Sequence, residues 1–541
     1  MFDLSQSLKR LWKWGNIVRP VGNGVRPKES PPSRVLRAFV SKTASSSVIG
    51  AVAIGIINFA VSDSARALPS FARQTGQPCG TCHTDYPGLT PYGRLFKLGG
   101  YTAGGGKYRS TLFPSQSDST KALTAYAKKW GSNLPTKAPS DTSEDNPYAP
   151  PISMMAIVGL THTQAPQDPT GSPYRSNDNV VVAPVSFFYG GAITDHIGAF
   201  AQVTYNGAPF GAQDPADPYA TFQWTWDNVD VRYANTGRLG DMPITYGITA
   251  NNNPSVQDPW NTTPAWSFPY AVSSIAPTPA AGTLIDGTFA AHVGGVGAYA
   301  WINNLVYLEL AGYRTINHDA QAKLGTDPFG APGMFDGISP YWRVAVEPHW
   351  GNNWLEFGAF GMSARIHPWT FSTGPSGFYN NETFAQTDRY DDIGFDSQYQ
   401  YQGDNYWITL RGTYIYEKQT LDASFANGLS SNPTNELNTL KLLGSLAYGN
   451  DNRIVVTGQY FDTWGTSDPT LYGGLASGFS PNSNGFIAEI AYIPFVSSYA
   501  PIWPWANARV GLQYTYYNKF DGTTVNAHDN NTLFAYLWFA M

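Results

Sequence analysis

The sequence predicts an all-β protein, a 16-stranded antiparallel outer-membrane β-barrel behind a small N-terminal segment of different character. Three observations point there. The 541 residues are 13% charged and 15% aromatic, with 54 Gly and 40 Pro. That composition does not fit disorder, which needs few aromatics and high charge. No apolar run reaches the roughly 20 residues that a membrane helix requires. Long stretches of the second half alternate apolar and polar residues with period two, the signature of strands.

The N-terminal 1–67 read as a signal peptide. Nine basic residues from Lys9 to Lys42 precede the mostly apolar run Val48 to Val61, and Ala65-Arg66-Ala67 is an A-x-A-like cleavage site. Ten basic and three acidic residues in this leader leave the remainder at a net charge of −13, against −6 for the whole chain. Such acidity argues against nucleic acid as a partner.

Residues 68–135 carry the two cysteines of the chain, in Cys79-Gly80-Thr81-Cys82-His83. C-x-x-C-H is the attachment pattern of a c-type haem. Two thiols at this spacing can each add to one haem vinyl group, and His83 then stands as the proximal iron ligand. A disulfide or redox dithiol is the competing reading, but neither needs His83, and no βαβ pattern surrounds the pair. A zinc site would need a second ligand pair. The expected cofactor is therefore one covalent haem c. Arg73, Arg94 and Lys97 are candidate partners for its propionates. Between Thr84 and Ser153 there is no further His or Met. A sixth ligand would then come from Met154, Met155 or His162, of which Met154 and Met155 point to opposite faces of a strand. His196, His292, His318, His349, His367 and His528 are scattered without ligand spacing.

Residues 136–151 read as a linker, and 152–541 as the porin-like transmembrane barrel. In Tyr406 to Glu417, the residues Tyr406, Ile408, Leu410, Gly412, Tyr414 and Tyr416 share one face. Trp407, Thr409, Arg411, Thr413, Ile415 and Glu417 share the other. Ala508 to Tyr517 repeats the pattern, which suits lipid outside and a wet lumen inside. Short polar breaks at 303–304, 351–353, 403–404 and 449–452 alternate with long ones at 163–179, 207–219, 252–284, 318–338, 368–387, 422–433, 467–483 and 519–530. Short turns on one rim and long loops on the other are the barrel arrangement, with every long break outside. Thr532 to Met541 reads as the closing strand. A soluble sandwich or propeller is the competing reading, although no 40–50-residue repeat is visible. Asp388, Asp391, Asp392 and Asp396 read as a solvated loop face.

Phe71-Ala72-Arg73-Gln74-Thr75-Gly76, the Cys79–His83 motif, Pro87, Leu89, Gly93-Arg94 and Phe96 to Thr102 together resemble the fused monohaem cytochrome c–porin family of outer-membrane proteins. The match is dense over 69–102 and one of architecture and size over the barrel. The resemblance implies a small N-terminal monohaem cytochrome c segment in or against a 16-stranded porin. It also implies an Fe(II):cytochrome c oxidoreductase activity, with Fe(II) as extracellular donor and a periplasmic electron-carrier cytochrome as acceptor. A solute-selective porin with a structural or plugging haem segment is the alternative.

Overall fold

A computed structural model describes residues 68–102, 150–167, 174–205, 224–287, 289–324, 332–369, 383–449, 453–473, 478–496 and 501–541. The leader and most of the linker lie outside the described residues, as do residues 103–135 of the haem-motif segment.

The segment 69–98 folds as three short helices and a small hairpin. Helix α1 (Pro69–Thr75) opens on Pro69, whose fixed φ suits the first turn, and stops at Gly76 in the left-handed region (φ 67°). Helix α2 (Cys79–Cys82) carries both thiols. Strands β1 (His83–Asp85) and β2 (Gly88–Leu89) pair antiparallel. Helix α3 (Pro91–Leu98) is capped by Thr90, whose Oγ1 accepts from the Gly93 N–H at 3.2 Å.

The remaining strands are β3 (Ile152–Thr163), β4 (Asn179–Ala192), β5 (Ile197–Tyr205), β6 (Trp224–Leu239), β7 (Met242–Asn251), β8 (Val293–Ile302), β9 (Val306–Thr315), β10 (Gly333–Phe335), β11 (Ser339–Val346), β12 (His349–Trp350), β13 (Asn353–Pro368), β14 (Asp388–Gln402), β15 (Tyr406–Thr420), β16 (Thr434–Tyr448), β17 (Ile454–Gly465), β18 (Ser483–Tyr492), β19 (Asn507–Lys519) and β20 (Thr532–Ala540). Short β10 and β12 pair with β13 on either side of the β11 pairing. The other sixteen are staves, each antiparallel to the next, and β20 pairs with β3 to close the ring. Closure leaves no open edge, the condition for a sheet to cross a bilayer.

Alternation along each stave sorts the side chains. Leu410 on β15 is 49% exposed outside while Arg411 is buried inside, and Leu310 and Phe395 are outward at 65% and 57%. An apolar belt outside and Gln, Thr, Glu and Arg inside is the pattern of outer-membrane barrels. The predicted rims hold. Long connections follow every odd stave, and most connections on the opposite rim are a few residues long.

Two predictions are corrected. The break at 252–284 is not an outer loop. Residues 252–287 and 289–292, between β7 and β8, fold into the lumen, with Val256, Trp260, Trp266, Phe268 and Phe289 all buried. The Asp388–Asp396 cluster is not a solvated loop face, because it lies on β14. The period-two alternation turns Asp388, Asp392 and Asp396 inward and buries them, while Asp391 faces out beside Arg389.

Candidate functional site: a cavity between plug and inner loop

The N-terminal segment occupies the lumen as a plug, gripped from around the wall. Ser70 N–H donates to Ser153 on β3 at 3.0 Å, and Gln74 Nε2 donates to the Gly190 carbonyl on β4 at 2.6 Å. Tyr101 donates to Asp230 on β6 at 2.6 Å, and Tyr299 on β8 donates to the Leu98 carbonyl at 2.6 Å. Asp85 pairs with Arg509 on β19, which also pairs with Glu489. Burial pushes the Asp85 carboxyl up even beside that guanidinium. A Cβ on Gly198 of β5 would stand 2.1 Å from the Gly100 carbonyl oxygen, so wall and plug touch backbone to backbone.

The inner loop closes over the plug and is itself pinned to the wall. Asp258 Oδ1 accepts from the Trp260 N–H (3.0 Å), and its Oδ2 from the Thr262 and Thr263 N–H groups (3.0 and 3.1 Å). Arg343 on β11 braces this carboxylate at 3.4 Å and reaches Glu356 at 3.1 Å and Asp396 at 2.7 Å. The guanidinium beside Asp258 holds its carboxyl below the usual range against the opposing effect of burial. Such a buried polar network is tolerated only because nearly every member has a partner.

Between plug, loop and wall lies a mostly apolar cavity of about 80 Å³. Cys79, Cys82 and His83 line it together, with Leu68, Phe71, Leu89, Phe96, Tyr101, Phe200 and Trp266 supplying apolar walls. No disulfide joins the two cysteines. Burial pushes the Cys82 thiol up to about 12, the reverse of a reactive redox dithiol. Burial also lowers the His83 imidazole to about 4, so it is neutral, as an iron ligand must be. Its Nδ1 lies 3.3 Å from the Pro87 carbonyl, the contact that orients a ligating ring. Close packing fixes the motif, since a Cβ at Gly93 would meet the Cys82 carbonyl at 2.2 Å. The apolar and aromatic lining and the Cys79, Cys82 and His83 donors fit a covalent c-type haem in polarity and donor set.

The other predicted site residues are placed as follows. Lys97 lines the cavity. Its Nζ donates to the Val256 and Asp258 carbonyls at 2.7 Å each and lies 4.2 Å from the Trp266 ring centre. Burial, then the nearby Arg232, lower the Lys97 ammonium to about 7 against Asp230 and Asp258. Arg94 is committed to the wall, pairing with Glu347 at 2.8 Å and donating to Gln400 at 2.7 Å. Arg73 donates to the Ile152 carbonyl at 2.5 Å and lies over Trp505. Neither arginine is among the residues lining the cavity, so propionate pairing fits Lys97 best.

The sixth-ligand prediction is corrected for Met154 and His162. Both lie on the outward face of β3, where His162 pairs with exposed Asp178 at 2.7 Å. The parity of a strand keeps them out of the lumen. Met155 does face inward and is buried among Leu68, Tyr86 and Phe96, but it is not among the cavity-lining residues. Sequence reasoning missed Asn261 and Trp266, which line the cavity from a stretch read as external. Their signal is weak: a Pro- and Asn-rich break carries no mark of turning inward.

No family model matches the chain, and no curated protein matches it. Among solved structures it is similar to OmpT with loop L8 deleted, an outer membrane protein of Vibrio cholerae, at 10% identity and TM-score 0.36, covering 72% of this chain and 98% of that one. It is also similar to OprB of Pseudomonas putida, at 11% identity and TM-score 0.42, covering 72% and 92%. OmpF of Salmonella typhi, in complex with daunomycin, aligns at 11% identity and TM-score 0.37, covering 72% and 97%. The barrel assignment rests on the strand pairing itself.

Proposed function

We propose that this protein is an outer-membrane electron conduit. It holds one haem c on Cys79 and Cys82, with His83 as proximal ligand, inside a plugged barrel. Electrons come from an extracellular donor, with Fe(II) the candidate the family resemblance supplies, and leave to a periplasmic cytochrome. The observation that carries the reading is the convergence of Cys79, Cys82 and His83 on one aromatic-walled lumen cavity. When bound, the haem supplies one-electron chemistry. The chain's own residues do the rest. His83 is kept neutral and oriented by Pro87, the apolar walls exclude water, and Lys97 offers a cation inside the cavity. The cavity lies towards the short-turn rim, because its plug residues pack with Trp354, Trp407, Ala447 and Val455, each beside a short turn or within a few residues of one. An acceptor in the periplasm would approach from that side.

A second reading, a solute-selective porin plugged by a haem segment, is favoured by the polar inner wall of the barrel. The purified protein separates the two. The conduit reading expects a covalent haem that Fe(II) reduces and a periplasmic cytochrome reoxidises, in protein that leaves liposomes solute-tight. A haem that stays oxidised with every outer donor, in protein that makes liposomes permeable, favours the porin. Absence of covalent haem removes the conduit.

A further inference from the structure

The cavity contains a polar group that neither the haem motif nor the sixth-ligand prediction accounts for. Asn261 lines it from the inner loop and is 3% exposed. Its Oδ1 is buried without a hydrogen-bond partner. A buried acceptor left open costs free energy unless something completes it, so it points to an occupant. The turn around it is built rather than loose. Asp258 fastens the N–H groups of Trp260, Thr262 and Thr263, and Arg343 fastens Asp258. Asn261 lies within that turn at φ 61°, a left-handed conformation that Asn tolerates better than most residues. Among the described side chains lining the cavity there is no Met, and no His besides His83.

We propose that Asn261 Oδ1 is the protein's contact at the sixth position of the haem iron, in place of Met154, Met155 or His162. This rests on the haem reading above. A carboxamide oxygen is a weak donor to haem iron compared with imidazole nitrogen or thioether sulfur. The site is therefore open to small iron ligands such as imidazole or carbon monoxide, which displace it.

The test uses the full-length, detergent-purified protein. Covalent haem is first scored on the denatured chain; its absence defeats the haem reading alone. With haem present, ferric optical and electron-spin spectra and an imidazole titration are recorded for the wild type, Asn261→Gly and Asn261→His. Glycine keeps the left-handed backbone, so the turn survives. The proposal expects a wild-type ferric spectrum without a methionine–iron band. It expects imidazole affinity about tenfold higher in Asn261→Gly, and in Asn261→His a low-spin bis-histidine spectrum with imidazole binding abolished. A methionine–iron band in the wild type, or unchanged spectra and imidazole affinity in both variants, overturns it.

Discussion

Arg509 on the barrel wall forms a buried ion pair with Asp85, two residues beyond His83, and donates to the Tyr86 carbonyl at 3.1 Å. One guanidinium thus ties the haem motif to β19, while its other end holds Glu489. Replacing Arg509 with Met strands two buried carboxylates, a loss of about 3–5 kcal/mol for a broken buried pair. The plug then detaches, and trypsin cuts after Arg73, Arg94 or Lys97 in detergent-solubilised protein that otherwise resists it. Unchanged resistance would refute this anchoring role.

Gly198→Val tests the backbone contact between wall and plug. Its Cβ has no room beside the Gly100 carbonyl, and overpacking of this kind costs about 1–3 kcal/mol. The barrel should still form, because Gly198 pairs through its backbone with Ala192 and Arg232. The expected result is a folded barrel by heat-modifiable gel mobility, with a lower thermal stability and a plug that trypsin cuts in detergent. Wild-type thermal stability and trypsin resistance would count against it.

The outward face of β15 gives a direct test of the membrane belt. Leu410→Arg places a charge where lipid is expected, and should destabilise the barrel by about 2–4 kcal/mol if the site lies near the midplane. Thr409→Ser, one residue away on the inner face, should be close to neutral. Denaturant unfolding in vesicles measures both, and equal small effects would remove Leu410 from the belt.

Asp468, in the connection after β17, gives a pH dependence. Burial alone would raise its carboxyl, but the N–H of Leu471, the side chains of Ser430 and Asn435 and the N–H of Ser431 hold it down at about 2, from an ordinary 3.8. A depressed carboxyl stabilises the folded form fully above its ordinary range, and that contribution is lost as pH falls from about 4 to about 2. Pepsin should therefore cut the 421–433 and 466–473 connections increasingly across that window. Asp468→Asn should be cut already at pH 4. Flat cleavage between pH 4 and 2 would refute the link.

How legible this was in the sequence follows from what each signal depends on. The staves were readable because period-two alternation is local. Tyr406 to Glu417 sorted into outer and inner faces from residue types alone, and the structure places them so. The haem motif was readable because its chemistry is confined to five consecutive residues. Helix α3 leaves a signal in Thr90-Pro91 before it and Gly99-Gly100 after it. The destination of residues 252–292 was not readable. Asp258 and Trp266 acquire their roles from Arg343, Lys97 and Phe200, which are distant in the chain. Strand parity sets Met154 and Met155 on opposite faces, but which one faces inside depends on the register of β3 against β20.

The grip of the wall on the plug straddles the place where the ring closes. Ser153 and Gly190 hold it from β3 and β4, and Arg509 and Thr457 hold it from β19 and β17, on the other side of the β20–β3 pairing. A seated plug therefore spans the seam of the cylinder like a clasp: contacts on both flanks hold together the one strand pair that joins the two ends of the sheet.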